Sequence, residues 1–489
     1  MKNVAIMIFS LYGGGAERIA GYLSKYLSER YNVYLFLTKT DKIVYDYGGT
    51  IVDIGKMGKA YEHNIKECKK KYKIDTTISF MERTNFTNIR TCVGDRLIIS
   101  DRCVQSLMRP FESAEEIQIQ KYYQYADEIV ACSYGVKHDL NSYYHVNNNI
   151  SVIYNFIDKD KITQMSLETL PEDVDEFLDG KDFLLTVGRL HPQKNHVRLI
   201  VQFALFHKKH PDVKLLILGK GVMAEHIQTL IDDKDLNDCV RIVPYEKNPF
   251  RYMSKAKTLV LSSHYEGLPN VVLEAMTIGT PVVAVDCLGG PRELLDDEID
   301  YNKLFEPIKA CRRGVLVSDS NSDDSGATDY LAKAMTMIYE NKSLEEQVVI
   351  NAKQHMETYS NEEILRQWLS VIEQDNRKLP QVLKEEDCLL KNAPCIILYG
   401  AGYIAHNTYL SMREKYKFTF CALSQKSEDD YFYDLPIKEI GDLAHLRDEA
   451  VVVMGVSQTY QNEVTDKLRE LGFKNIIFPF IDKFRYELP

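Results

Sequence analysis

Residues 258–294, TLVLSSHYEGLPNVVLEAMTIGTPVVAVDCLGGPREL, leave little choice of fold. Thr258 to Leu261 is apolar and rich in branched side chains, as a buried strand requires. Glu266-Gly267-Leu268-Pro269 makes the turn, and Pro269 suits the first turn of a helix, where its missing N–H costs nothing. Apolar residues at helical spacing run from Asn270 to Ile278. Gly279-Thr280-Pro281 stops that helix, and Val282 to Val285 is the next strand. A buried strand that feeds a helix and then another buried strand builds a parallel α/β sheet. The helix start aims free N–H groups at whatever lies above the sheet, a setting that favours phosphate.

Two carboxylates sit in this stretch, Glu266 before the helix and Glu274 inside it. Asn270 and Glu274 are four apart and share a face. A carboxylate beside a phosphate site would repel phosphate, so its use there is to accept hydrogen bonds from sugar hydroxyls. An ordinary helix-surface Glu is the competing reading, and spacing alone does not separate the two.

A chain of 489 residues is too long for one typical domain and suggests roughly two to four. The net charge of −11 argues against general nucleic-acid binding. Residues 1–150 hold 20 Lys and Arg against 17 Asp and Glu, and the remainder holds 40 against 54, so the first part is the one suited to an anionic surface. Ten scattered cysteines, with no C-x-x-C and no zinc spacing, fit a reducing cytoplasm and no metal site. No apolar run approaches the roughly 18–20 residues of a membrane span.

Along the chain, Val4 to Phe9 reads as the first strand and Gly13-Gly14-Gly15-Ala16-Glu17-Arg18 as the loop into a helix reaching about Glu29. Gly14 and Gly15 would let backbone approach a ligand closely. Glu17 reads equally as a loop or acceptor group and as a helix-start carboxylate. Lys66, Lys69, Lys70, Lys71 and Lys73 cluster on a helical stretch. They form either a solvated face or a patch for anionic lipid headgroups. Strands at 76–80 and 96–100 deliver polar residues, including Asp101 and Arg102, to the sheet edge that faces a cleft. Tyr122 to Ala126 reads as a helix, and Val152 to Asp158 closes a first domain.

A polar connector over 159–181 leads to a strand ending at Gly188-Arg189, with Lys194 five residues on. Two cations at a strand end suit a diphosphate, the Arg as a planar fork and the Lys as a mobile point charge. Further strands over 213–218 and 240–244 and helices near 328–340, 344–357 and 361–376 complete a second domain, and residues 377–393 are a charged linker. The third unit opens with a strand and Gly400-x-Gly402-x-x-Ala405, a match to the dinucleotide fingerprint. It lacks a convincing acidic residue at the end of its second strand. A non-catalytic Rossmann-like module is the favoured reading, and an NAD-type ligand at Gly400 and Gly402 the other.

S-x-x-E266-G-L-P-N-V-x-L-E274-A-M-x-x-G-x-P-V-V-A resembles the signature of family 4 glycosyltransferases, and the resemblance spans about residues 1–375. It implies the GT-B fold: two Rossmann-like α/β domains facing a cleft, here 1–160 for the acceptor and 161–376 for the nucleotide-sugar donor. Residues 361–376 would cross back onto the first domain, and 394–489 would be a small Rossmann-like extension after the 377–393 linker. It implies a retaining transfer, without metal or organic cofactor, from a nucleoside diphosphate sugar, UDP being the commoner choice. The acceptor would be a hydroxyl on a glycan or polyprenyl-linked carrier at the cytoplasmic face of the membrane, in cell-envelope or capsular polysaccharide synthesis.

By the same resemblance, Arg189, Lys194 and Glu266 carry the chemistry. Gly14, Gly15, Gly188, Tyr245, Gly267, Leu268, Pro269, Asn270, Val271 and Glu274 line the donor, with Glu274 on the ribose. Glu17, Asp101 and Arg102 are candidates on the acceptor side, and Asp101-Arg102 stands where many relatives have a cleft His. Gly289-Gly290-Pro291-Arg292-Glu293 keeps the family's G-G-x-x-E, read as structural or close to the sugar. The alternatives are a catalytically inactive binding subunit of a glycosylation complex, which need not keep Arg189, Lys194, Glu266 and Glu274, and an oxidoreductase centred on Gly400, which leaves most of the chain without a role.

Overall fold

The computed structural model describes residues 1–56, 61–108, 119, 122–146, 148–244, 246–303, 306–318, 328–375, 377, 387–425, 427–456 and 458–477. Three sheets follow one another along the chain. The first holds β1 (Asn3–Ile8), β2 (Asn32–Leu37), β3 (Thr50–Asp53), β4 (Thr76–Phe80), β5 (Arg96–Asp101), β6 (Glu128–Ala131) and β7 (Ile150–Val152), ordered β3-β2-β1-β4-β5-β6-β7 and parallel throughout.

The second holds β8 (Phe183–Val187), β9 (Lys214–Leu218), β10 (Val240–Val243), β11 (Thr258–Leu261), β12 (Val282–Asp286), β13 (Ile308–Ala310) and β14 (Val315–Ser318). Their order is β10-β9-β8-β11-β12-β14-β13, with only β13 antiparallel to its neighbour. The third holds β15 (Cys395–Tyr399), β16 (Phe420–Leu423), β17 (Tyr431–Phe432), β18 (Leu435–Glu439), β19 (Ala450–Met454) and β20 (Asn475–Ile477), ordered β17-β18-β16-β15-β19-β20.

These orders place the sites. In a doubly wound sheet the ligand crevice opens where the strand order reverses, beyond the carboxyl ends of the strands. That point lies between β1 and β4 in the first sheet, between β8 and β11 in the second and between β15 and β19 in the third. The Gly13–Gly15 loop follows β1, the Arg189–Lys194 loop follows β8, Glu266 follows β11 and Gly400 follows β15. Gly400 takes a φ of +110°, which a side chain would resist.

Several local expectations are corrected. The short strands β3, β13 and β17 carry too few residues for a period to register, and Pro436 with its charged neighbours masks β18. Residues Tyr123–Tyr125 form only a single 3₁₀ turn where a helix was expected. Pro269 stands at the cap, and the helix begins at Asn270 (Asn270–Ile278). Tyr245 and most of the 377–393 linker lie outside the described residues.

The helix Asn361–Glu373 does cross back onto the first unit. Its Trp368 is fully buried, 6.1 Å from the ring of Phe80 on β4. Arg96 Nε donates to the Val371 carbonyl at 3.1 Å, and Lys2 pairs with Glu373 at 2.8 Å.

The basic helix Tyr61–Lys71 is not a uniform charged face. Lys69 is 0% exposed, donating at 2.9 Å to both Asp95 and Asn88 beneath β4. It is removed from any lipid-facing patch. Lys70, Lys71 and Lys73 are exposed, and Lys70 is paired with Glu67 at 2.8 Å. Removing one partner of a buried pair strands the other charge. Lys69→Ala should therefore cost about 3–5 kcal/mol in urea unfolding, and Lys70→Ala no more than about 1 kcal/mol. Equal losses would contradict the assignment.

Candidate active site

The first two sheets face each other through the loops at their carboxyl edges. Glu266, just past β11, is 5% exposed and accepts from Lys194 Nζ and Ser263 Oγ, both at 2.6 Å. The Lys194 loop is itself tied to this strand end: Ser262 Oγ donates to the Lys194 carbonyl at 2.9 Å, and Gln193 Nε2 to the Tyr265 carbonyl at 3.0 Å. Arg189 is exposed at the mouth of the cleft, its Nη2 3.1 Å from Gln193 Oε1. Gly188 lets the aliphatic stem of Lys194 pass 3.2 Å from where a Cβ would stand.

Glu274 is 4% exposed, which excludes the reading as a helix-surface residue. Its partner comes from the other side of the cleft: Arg18 Nη2 donates to Glu274 Oε1 at 2.8 Å. Arg18 lies on the helix Gly15–Leu27 that opens from the Gly-rich loop. A cation near a helix N-terminus opposes the helix dipole, so Arg18 needs an outside anion. That is the signal by which sequence reasoning could have found it.

The two helix starts approach closely. A Cβ on Gly15 would stand 2.8 Å from Asn270 Nδ2, and one on Gly267 would stand 2.0 Å from the Arg102 carbonyl. Only glycine fits at Gly267 without moving backbone. Asn155, also missed in the sequence, bridges the halves. Its Oδ1 accepts from Arg102, and its Nδ2 donates to Asn270 Oδ1 at 2.7 Å and to the Leu268 carbonyl at 3.3 Å. Leu268 and Pro269 are buried in this loop, while Val271 is half-buried beside Asn270. Arg102 is thus committed to the inter-unit contact.

Glu293 makes the second bridge. It is buried and accepts from the backbone N–H groups of Tyr134 (3.0 Å) and Gly135 (2.9 Å), from Tyr154 Oη (2.9 Å) and from Tyr301 Oη (2.6 Å). Tyr134 and Gly135 open the helix Tyr134–Ser142, and Ser133 Oγ satisfies the next N–H, on Val136, at 3.1 Å. A carboxylate from one unit therefore caps a helix of the other. Burial raises the Glu293 carboxyl above its ordinary value, and the four donors oppose that rise.

Glu17 is half-buried in the first turn of its helix. Burial raises its carboxyl, and the charge of Arg189 across the cleft opposes this. Asp101 does not face the cleft as expected. It is 0% exposed behind the turn after β5, with Oδ1 accepting from Gln105 Nε2 at 2.7 Å. Among the described residues no His, Cys, Asp and Glu cluster has the shape of a metal site, and no helix is long and apolar enough to cross a membrane.

Two carboxylates and two cations are thus gathered around facing helix starts. Residues 172–355 match the family described as glycosyl transferases group 1. Over 338 residues, 63% of this chain and 90% of the relative, the chain is 32% identical to N-acetylgalactosamine-N,N'-diacetylbacillosaminyl-diphospho-undecaprenol 4-alpha-N-acetylgalactosaminyltransferase of Campylobacter jejuni. A second Campylobacter jejuni protein, named as an alpha-1,4-N-acetyl-D-galactosaminyltransferase acting on GalNAc-alpha-(1->4)-GalNAc-alpha-(1->3)-diNAcBac-PP-undecaprenol, is 23% identical over 76% of this chain and 98% of its own. HepE of Anabaena in complex with UDP shares the fold with a TM-score of 0.58 at 16% identity, over 76% of this chain and 99% of its own. Sucrose-phosphate synthase of Thermosynechococcus elongatus does so with 0.59 at 17%, over 79% and 100%. The chain belongs to the group 1 glycosyltransferases, with the GT-B fold. Its activity is glycosyl transfer from a nucleotide sugar.

Burial pushes the Asp101 carboxyl up to about 7, with Glu82 and Asp139 adding to the rise. The folded protein then keeps a proton on Asp101 that the unfolded chain gives up near its ordinary value of 3.8. This group favours the fold at low pH, and its contribution is lost as pH rises through about 7. Unfolding free energy measured from pH 4 to 8 should show a smaller decline in Asp101→Asn than in the unaltered protein. Parallel curves would refute the shift.

Proposed function

We propose that the chain transfers a sugar from a UDP-sugar, with retention of anomeric configuration, to a hydroxyl of a glycan or lipid-linked acceptor in cell-envelope polysaccharide synthesis. The observation that carries this is the pair of buried carboxylates, Glu266 and Glu274, each neutralised by a cation where two helix starts meet. Arg189, Lys194 and the N–H groups at Asn270 and Val271 hold the diphosphate. Glu266 takes hydroxyls of the donor sugar, and Glu274 takes those of the ribose. UDP in the Anabaena neighbour and the undecaprenyl-linked substrates named for the Campylobacter relatives support this choice of donor and acceptor.

In the transfer, the bond from the anomeric carbon to the phosphate oxygen breaks as the acceptor oxygen bonds to the same face. The acceptor's proton leaves with the diphosphate. Charge grows on the leaving group, so a preorganised Arg, Lys and helix start lower the barrier. No protein nucleophile enters this route. The exposed lysines Lys70, Lys71 and Lys73, with half-buried Lys66, remain the part of the basic segment available to anionic lipid at the cytoplasmic face of the membrane.

Purified protein with a panel of nucleotide sugars should release nucleoside diphosphate from one of them, and NMR of the product should give the retained anomer. Lys194→Ala should slow release about a hundredfold, and Glu274→Ala should weaken donor binding. A donor that neither binds nor turns over would favour an inactive binding subunit instead.

Arg18 occupies the carboxylate that the ribose needs. Donor binding then pays for breaking that pair, and Arg18→Ala removes the cost. Calorimetry should show several-fold tighter donor binding to Arg18→Ala. Weaker binding would make Arg18 a donor ligand rather than a guard on Glu274.

A further inference from the structure

Two loops at the carboxyl edge of the first sheet are zipped together. After β1 come Phe9 to Tyr12, and after β2 come Thr38 to Val44. Lys39 N donates to the Phe9 carbonyl at 2.7 Å, and Val44 N to the Leu11 carbonyl at 3.0 Å. Above this seam Lys42 Nζ stands 4.1 Å from the ring centre of Tyr12, and Lys39 Nζ 5.8 Å from that of Phe9. Each ring steadies the ammonium over it. Asp41 is the one carboxylate in residues 38–44, so the segment stays net positive.

A third cation comes from the other unit. Lys220 follows β9, and its carbonyl accepts from Leu190 N at 3.0 Å, which fixes it beside the Arg189 loop. Hydrogen bonding to Lys42, then the charges of Lys220 and Lys42, hold the Tyr12 phenol below its ordinary value. Ammonium groups from both units therefore meet at one phenol. Such a gathering of like charge at a cleft mouth attracts an anion. Apolar side chains accompany the lysines on both sides: Phe9, Tyr12 and Val44 are exposed on the first unit, and Val222, two residues past Lys220, is 84% exposed on the second. Bared apolar surface interleaved with cations suits an anion that carries an apolar chain.

We propose that Lys42 and Lys220, with Phe9, Val44 and Val222 beside them, seat the diphosphate and adjoining apolar chain of a lipid-linked acceptor, apart from the place of the donor diphosphate. The inference rests on the reading of a lipid-linked acceptor and adds where its lipid end is held.

Calorimetric titration of the full chain with farnesyl diphosphate, with and without saturating UDP, tests it, and inorganic pyrophosphate is titrated in parallel. Farnesyl diphosphate should bind in both conditions, and more tightly than pyrophosphate. Lys42→Glu and Lys220→Glu should each weaken it about tenfold or more through like-charge repulsion. Both lysines are exposed, so the fold should survive, which an unfolding curve checks. Phe9→Ser should narrow the gap between the two ligands. Four results would overturn the proposal: no binding of farnesyl diphosphate, its displacement by UDP, undiminished binding in Lys42→Glu, and equal binding of pyrophosphate. A failure of UDP itself to bind would count against the donor reading and leave this titration intact.

Discussion

The arrangement of the two catalytic units depends on one buried carboxylate, that of Glu293. Four donors from three separate stretches of chain converge on it, and two of them are the leading N–H groups of a helix in the facing unit. A helix end buried without partners is costly. Here the partner of that helix end is supplied by the other unit, so it is satisfied only where the two units meet. The G-G-x-x-E segment is therefore a fastening between units, and the sugar-proximal reading of it gives way to the structural one.

The cleft that results balances its own charge. Glu266 and Glu274 would each be expensive as lone buried carboxylates. Lys194 and Arg18 make them tolerable, and the two pairs differ in origin. The Lys194–Glu266 pair is internal to the second unit and orients a group beside the strand end. The Arg18–Glu274 pair joins residues 256 positions apart, one from each side of the cleft. One pair thus lies within a single unit, and the other ties the two units together.

Much of this was legible in the sequence because the strands are continuous apolar runs and the helix between β11 and β12 has clear start and stop residues. The E-x7-E spacing, Arg189 and Lys194 lay in that readable part. The edge strands β3, β13 and β17, of two to four residues, were not legible, and in β18 Pro436 and two charged residues hid a strand that lies inside its sheet. Lys69 was misjudged because five lysines in eight residues look solvated, and nothing local tells that Asp95, on a distant turn, reaches one of them. Asp101 was misjudged for a related reason: a polar residue at a strand end can turn inward as readily as toward the cleft. Arg18, Asn155 and Glu293 act through partners more than a hundred positions away; the sequence signals that Arg18 needs an anion, but which one appears only once the chain is folded.

The returning helix Asn361–Glu373 has a consequence for how the chain is made. The first sheet is complete by residue 152, yet the groove that receives Trp368 beside Phe80 stays open until some two hundred more residues have been added. Domains fold in order as synthesis proceeds. The first unit must therefore persist on the ribosome with an uncovered apolar seam, and with Arg96 lacking the carbonyl it will later bind. The chain's most exposed moment comes during its own translation, and truncation before residue 373 would make that moment permanent.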